Sequence, residues 1–133
     1  MSGNITVVSI IDRFLEHSRV FYFHHGGEEE VYISSADWMP RNLDRRVELL
    51  VPIADDPSRK RLIACLETYF KDTVKSSRLR ADGQYERIMP EPGQKAVRAQ
   101  EVLYRMQRES VNRMTQAKRR VFTPHLPPSA EST

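Results

Sequence analysis

Apolar residues fall in short β-type runs over the first half of the chain and at helical spacing over much of the second. Residues 5–11 are nearly continuously apolar, which predicts a buried strand with neighbours on both sides. Only residues 1–4 precede this run, so the chain is expected to be a piece of a longer polypeptide. Residues 12–17 read as a loop or short helical turn leaving that strand. Residues 18–24 and 30–35 are β-branched and aromatic, and they flank His25-Gly26-Gly27-Glu28-Glu29, a hairpin signal in which glycine supplies positive φ. Residues 38–44 are a connection, because Pro40 cannot donate to a central ladder. Residues 45–52 alternate at their start, which predicts a strand with Val47, Leu49 and Val51 on one face and Arg46 and Glu48 on the other.

Asp55-Asp56-Pro57 is a helix start, with an acidic cap and proline in the first turn. Leu62, Ile63, Leu66, Tyr69, Phe70 and Val74 then recur at helical spacing, predicting an amphipathic helix over 57–75 that lies on the sheet. Residues 76–93 are expected to be irregular, with turns at Asp82-Gly83 and Pro90-Glu91-Pro92-Gly93. From Gln94 to about Arg119 the chain is helix-permissive. Its apolar stripe through Val97, Tyr104, Val111 and Met114 is too thin to stand without another surface. Residues 122–133, with prolines and Ser/Thr, are expected to be a disordered tail. The organisation predicted is a core over 1–93, a basic helix over 94–121 and the tail.

Composition changes this picture in two places. The net charge is +3, yet residues 94–120 alone carry +6, with eight Lys/Arg against Glu101 and Glu109. A basic arm on a slightly acidic body suits a polyanion, an acidic neighbour domain or a membrane surface, or is a solvated helix face. Cys65 is the only cysteine, so an intrachain disulfide and a multi-cysteine metal site are both excluded. No apolar run approaches the ~20 residues that cross a bilayer, and there is no secretory signal pattern, so a cytoplasmic setting is expected.

The candidate chemistry lies between the β-type runs. His17-Ser18-Arg19, Ser34-Ser35-Ala36-Asp37-Trp38 and residues 41–48 together hold one histidine, four arginines, three serines and three carboxylates. His17 and Arg19 are two apart and share a face if extended. Histidine passes protons or phosphoryl groups near neutral pH, and arginines grip phosphate oxygens in pairs. Two ionisable neighbours, Arg46 and Glu48, on one strand face are costly unless that face borders a site. The cluster of Ser35, Asp37, Arg41, Asn42, Arg46 and Glu48 around His17 and Arg19 therefore reads as a phosphate or anion site. His24 and His25 at the hairpin tip, and His125 in the tail, are read as surface histidines. No glycine-rich phosphate loop is present, His24-His25 lacks zinc-ligand spacing, and Cys65 sits in a packing context.

Two resemblances rest on these residues. His17-Ser18-Arg19, Ser34-Ser35-Ala36-Asp37 and Glu48 resemble the half-motif of the phospholipase D-like superfamily, H-x-K-x4-D, then G-S-x-N, then a glutamate. Arginine stands for lysine, His24 for the first aspartate and Asp37 for asparagine, which argues against phosphodiester hydrolysis. More closely, SIIDRFLEHSRVFYF, VYISSADWMPRNLDRRVELLVPI, DTVKSSRLRADG and KAVRAQ resemble, in order and spacing, the last domain of the type-one bacterial polyphosphate kinases.

That resemblance implies an α/β (α+β) fold, a phospholipase D-like domain with a mixed β-sheet, flanking helices and the basic C-terminal helix. It implies reversible transfer of the terminal phosphate of ATP to polyphosphate with Mg²⁺, through a phosphohistidine. The phosphohistidine and the metal ligands are expected upstream of this chain, which supplies no metal site. His17 corresponds to the family's second essential histidine, in a catalytic and ATP-contacting place. Arg19, Arg41 and Arg46 are expected to form a basic phosphate wall, with Ser35, Asp37 and Asn42 in support. Glu48 is expected to hydrogen-bond His17 and fix its tautomer. The implied partners are ATP or ADP, polyphosphate, the upstream domains and homo-oligomeric copies. Peripheral membrane association of the whole enzyme is allowed, and nucleic acid is not expected. The competing readings are a non-catalytic polyanion-binding module and, third, an oligomer scaffold using residues 94–120.

Overall fold

A computed structural model describes residues 3–116. The elements in chain order are β1 (Val8–Ile10), β2 (Val20–His25), β3 (Glu28–Ser34), α1 (Pro40–Leu43), β4 (Leu50–Pro52), α2 (Asp56–Phe70), β5 (Ser76–Leu79), β6 (Tyr85–Arg87) and α3 (Ala99–Gln116). They form two three-stranded sheets, ordered β1-β5-β6 and β2-β3-β4, and every ladder among the described residues is antiparallel. Helix α2 lies against β2 and β3 and also meets α3. The α/β class is thus as expected, while the single mixed sheet resolves into two antiparallel ones.

The β2–β3 hairpin follows from two glycines. Gly26 and Gly27 have φ of 56° and 90°, the doubly left-handed turn whose twist matches the flanking strands. Phe23 then meets Tyr32 edge-on at 6.0 Å, which locks the register on that face. Helix α2 starts where its cap predicts, with the Asp55 carboxylate accepting from the Ser58 N–H at 2.9 Å. It ends at Phe70 rather than near 75. Asp72 is fully buried, and its Oδ1 takes the N–H groups of Val74 (2.9 Å) and Lys75 (2.6 Å), which a continuing helix would have used. Its Oδ2 accepts from the Ala99 N–H at 2.7 Å, so one carboxylate ends α2 and caps α3.

Four expectations give way here. Residues 76–93 contain the β5–β6 hairpin around Gly83 (φ 85°), whose polar sequence hides a pairing imposed by β1. The first strand is shorter than 5–11 and pairs only with β5 among the described residues, so Ile11 is 81% exposed instead of buried. Of residues 45–52 only Leu50–Pro52 form a strand, and Val47 is 99% exposed. The ladder stops because Ser35 closes it: its N–H bonds the Leu49 carbonyl and its Oγ accepts from the Leu49 N–H. Helix α3 begins at Ala99 instead of Gln94. The end of the basic helix, beyond residue 116, and the tail lie outside the described residues.

Among the described residues the buried hydrophobic residues are Val31, Ala36 and Ala99. Leu15, Leu49, Leu50 and Val51 are exposed. Polar ties therefore carry much of the tertiary connection. Chief among them is Asp12, at the end of β1, which is 1% exposed as a side chain and accepts twice from the Arg98 guanidinium, Nε to Oδ2 at 2.9 Å. That guanidinium holds the Asp12 carboxyl down at about 2. A carboxyl depressed in the folded state stabilises at pH above its unfolded value of about 3.9 and loses that contribution as pH falls. In thermal melts, wild type is expected to exceed Asp12→Asn most at neutral pH, the gap closing between about pH 4 and about pH 2. An equal gap at pH 7 and pH 2.5 would contradict this.

Candidate active site

His17 lies in the irregular segment between β1 and β2, and Arg19 immediately precedes β2. The two side chains meet: Arg19 Nη2 lies 3.5 Å from His17 Nδ1, at the long end of hydrogen bonding, and Arg19 Nη1 donates to the His17 carbonyl at 3.3 Å. A guanidinium has only donors, so Nδ1 must be the unprotonated nitrogen whenever this bond is made. The proton of the neutral ring then sits on Nε2, free to face a ligand.

Across the strands, Arg19 Nε donates to Asp37 Oδ1 at 2.7 Å. This bond is the main reason the Asp37 carboxyl lies below the usual carboxylate range, with His17 and Arg41 adding smaller attractions. The same bond raises Arg19 further, with Glu48 contributing. Arg19 and Asp37 line a cleft of about 400 Å³ with Ser18, Phe21, Ala36 and Trp38. Phe21 and Trp38 meet at 6.0 Å beside it.

The remaining expected residues divide in two. Asn42 is 3% exposed and its Nδ2 donates to the Asp37 carbonyl at 3.4 Å, so it supports the turn that presents Asp37. Glu48 accepts from Ser35 Oγ, and Ser35 Oγ accepts from Leu49. The expected bond from Glu48 to His17 is not formed here; the late start of β4, at Leu50, leaves Glu48 off any strand face, and Arg19 takes His17 Nδ1. Arg41, in α1, and Arg46, in the segment before β4, are exposed and hold no ion pair among the described residues, which leaves both guanidinia open to an anion. The structure therefore brings together His17, Arg19, Asp37, Asn42 and, electrostatically, Arg41. It does not join Arg46 to them.

His25 reaches Glu30 at 3.6 Å on the hairpin, a surface pairing, and His125 lies outside the described residues. Burial pushes the Cys65 thiol up, away from nucleophilic use. Sequence reasoning missed Tyr69, read as part of an apolar stripe, and Gln100. Both hold the residues beside His17 by hydrogen bonds across 51 to 86 positions. The KAVRAQ string, which contains Gln100, was the available signal.

The family model described as polyphosphate kinase C-terminal domain 2 matches residues 1–100. The chain belongs to that polyphosphate kinase family. It is 52% identical over 127 residues to the polyphosphate kinase of Rhodopirellula baltica, covering 96% of this chain and 15% of that protein. The similarity to the Pseudomonas aeruginosa polyphosphate kinase is 52% over 90 residues, or 68% of this chain and 13% of that one. The crystal structure of polyphosphate kinase from Porphyromonas gingivalis superposes with a TM-score of 0.77 at 40% identity, over 84% of this chain and 17% of that one. The chain thus spans about a seventh of the length of the curated polyphosphate kinases it matches. The family's phospholipase D-like fold agrees with the α/β class found here. No helix among the described residues is long and apolar enough to cross a membrane.

Proposed function

We propose that this chain is part of an ATP:polyphosphate phosphotransferase and forms one wall of its active site. The observation that carries the reading is the contact of Arg19 with His17 Nδ1, which leaves Nε2–H as a donor near Arg19 and Arg41. A histidine upstream of this chain attacks the terminal phosphorus of ATP, and the bond from phosphorus to the oxygen of ADP breaks. The phosphoryl group then passes from that histidine to the terminal oxygen of polyphosphate. Charge gathers on the bridging oxygen and on the transferring group during both steps. His17 Nε2–H donates to that charge, or gives the departing oxygen a proton, while Arg19 and the open guanidinium of Arg41 hold the phosphates and Arg46 offers a further cation outside the cluster. Asp37 keeps Arg19 in place.

Mg²⁺ would neutralise phosphate charge in such an enzyme. Among the described residues no group of three or more His, Cys, Asp or Glu side chains is arranged to hold an ion, so its ligands would come from the upstream domains. The upstream domains, a homo-oligomer and a cytoplasmic setting belong to the same proposal. The apolar side chains left exposed at Leu15, Leu49, Leu50 and Val51 support coverage by neighbouring domains. The test is ATP-dependent polyphosphate synthesis by full-length enzyme carrying His17→Ala. Near-normal turnover would remove His17 from the mechanism.

A further inference from the structure

The segment that carries His17 has no regular secondary structure of its own, so its position must be set by side chains reaching it from elsewhere. Two such side chains act directly beside the histidine. Gln100, in the first turn of α3, turns both ends of its amide to Phe14: the Phe14 N–H donates to Oε1 at 3.1 Å, and Nε2 donates to the Phe14 carbonyl at 2.7 Å. Nε2 also donates to Glu16 Oε1 at 3.1 Å. The opposite polarity of the two Phe14 groups fixes the orientation of the amide. From α2, the Tyr69 hydroxyl donates to Glu16 Oε2 at 3.2 Å and lies 3.2 Å from Ser18 Oγ. A phenol has a single proton, so Ser18 is the donor in the second bond. The residues on either side of His17 are thereby held by one tyrosine. Burial raises the Tyr69 hydroxyl, which keeps it protonated near neutral pH.

We propose that Gln100 and Tyr69 are positioning residues that clamp residues 14–18 and so fix where His17 stands in the phosphoryl-transfer site. The inference rests on the reading of His17 given above. Neither residue touches the reacting phosphate; each acts through the backbone and side chains beside the histidine. Arg98 extends the same strap by holding Asp12 upstream. The arrangement makes the two helices that frame this segment the reference for the catalytic group, because a flexible loop alone would let the ring wander.

The experiment uses full-length enzyme with Tyr69→Phe, Gln100→Ala and His17→Ala made separately. Turnover, KM for ATP and melting temperature are measured for each. Tyr69→Phe keeps the ring and removes only the hydroxyl. Displacement of a catalytic group by about 1 Å costs on the order of 100-fold, so both strap variants are expected to lose about 10- to 100-fold in kcat. KM for ATP should stay within about two-fold, because the interaction lost is one made in the transition state. Melting temperatures should stay close to wild type. Wild-type kcat in both strap variants beside an inactive His17→Ala would overturn the inference and leave the site intact. A fall in kcat matched by a fall in melting temperature in Tyr69→Phe and Gln100→Ala alike would also overturn it, showing a merely structural role. Normal turnover in His17→Ala would overturn the reading of the site itself, and the positioning inference with it.

Discussion

Full-length enzyme carrying His17→Ala is expected to lose about 10³-fold in ATP-dependent polyphosphate synthesis, within the range that a positioned acid or base contributes. The chemistry of the substitution is specific. Alanine removes both ring nitrogens, so Arg19 loses its neighbour at Nδ1 and the phosphate loses the donor at Nε2. His17 is exposed and lies outside any strand or helix, so the fold does not depend on its ring and the melting temperature should hold. His17→Gln separates two roles. A glutamine amide can place an N–H near the position of Nε2 but cannot pass a proton at neutral pH. Substantial recovery in His17→Gln would make the residue a phosphate-binding donor. No recovery would make it a proton-transfer group. A rate for His17→Ala within about three-fold of wild type would be far below the ~100-fold minimum expected of an acid or base and would sink the assignment.

Local chemistry was legible where a few adjacent residues determine the backbone. Gly26-Gly27 marked the β2–β3 turn because positive φ belongs to glycine, and Asp55 with Pro57 marked the start of α2 because a cap and a fixed φ act within one turn. The pairing of His17 with Arg19 was legible for the same reason, since residues two apart share a face. Long-range pairing was not. Strands β5 and β6 read Ser-Ser-Arg-Leu and Tyr-Glu-Arg, with no apolar alternation to signal them, and they form because β1 offers an edge some 68 positions away in register. The alternation at Val47 and Leu49 failed in the opposite direction: the pattern was present, but the ladder closes at the Leu49–Ser35 bonds, and among the described residues no strand stands opposite Val47. That failure moved Glu48 away from His17 and onto Ser35. Tyr69 and Gln100 were invisible as site residues because their roles exist only once α2 and α3 flank the histidine segment. Asp72 was equally hidden, since a lone aspartate after a helix looks like any turn residue.

Asp72→Ala is expected to be the most destabilising substitution in the chain. The carboxylate is fully buried and accepts from three backbone N–H groups, those of Val74, Lys75 and Ala99. Alanine leaves all three donors without that partner, the Ala99 N–H fully buried and those of Val74 and Lys75 half-buried. At about 1–3 kcal/mol for each unsatisfied buried group, the loss is about 3–6 kcal/mol after allowing for relaxation. That is a large share of the ~5–15 kcal/mol that holds a typical domain folded. The consequence reaches the active site, because the Ala99 bond sets the start of α3, and Gln100, the next residue, grips Phe14. Asp72→Asn should fall between: its amide oxygen can still serve Val74 and Lys75, but its NH₂ group then faces the Ala99 N–H, donor against donor. Thermal unfolding of the three proteins, with amide exchange at residues 97–103, measures the order directly. Equal stability of Asp72→Ala and wild type would show that the buried carboxylate is not what joins the two helices.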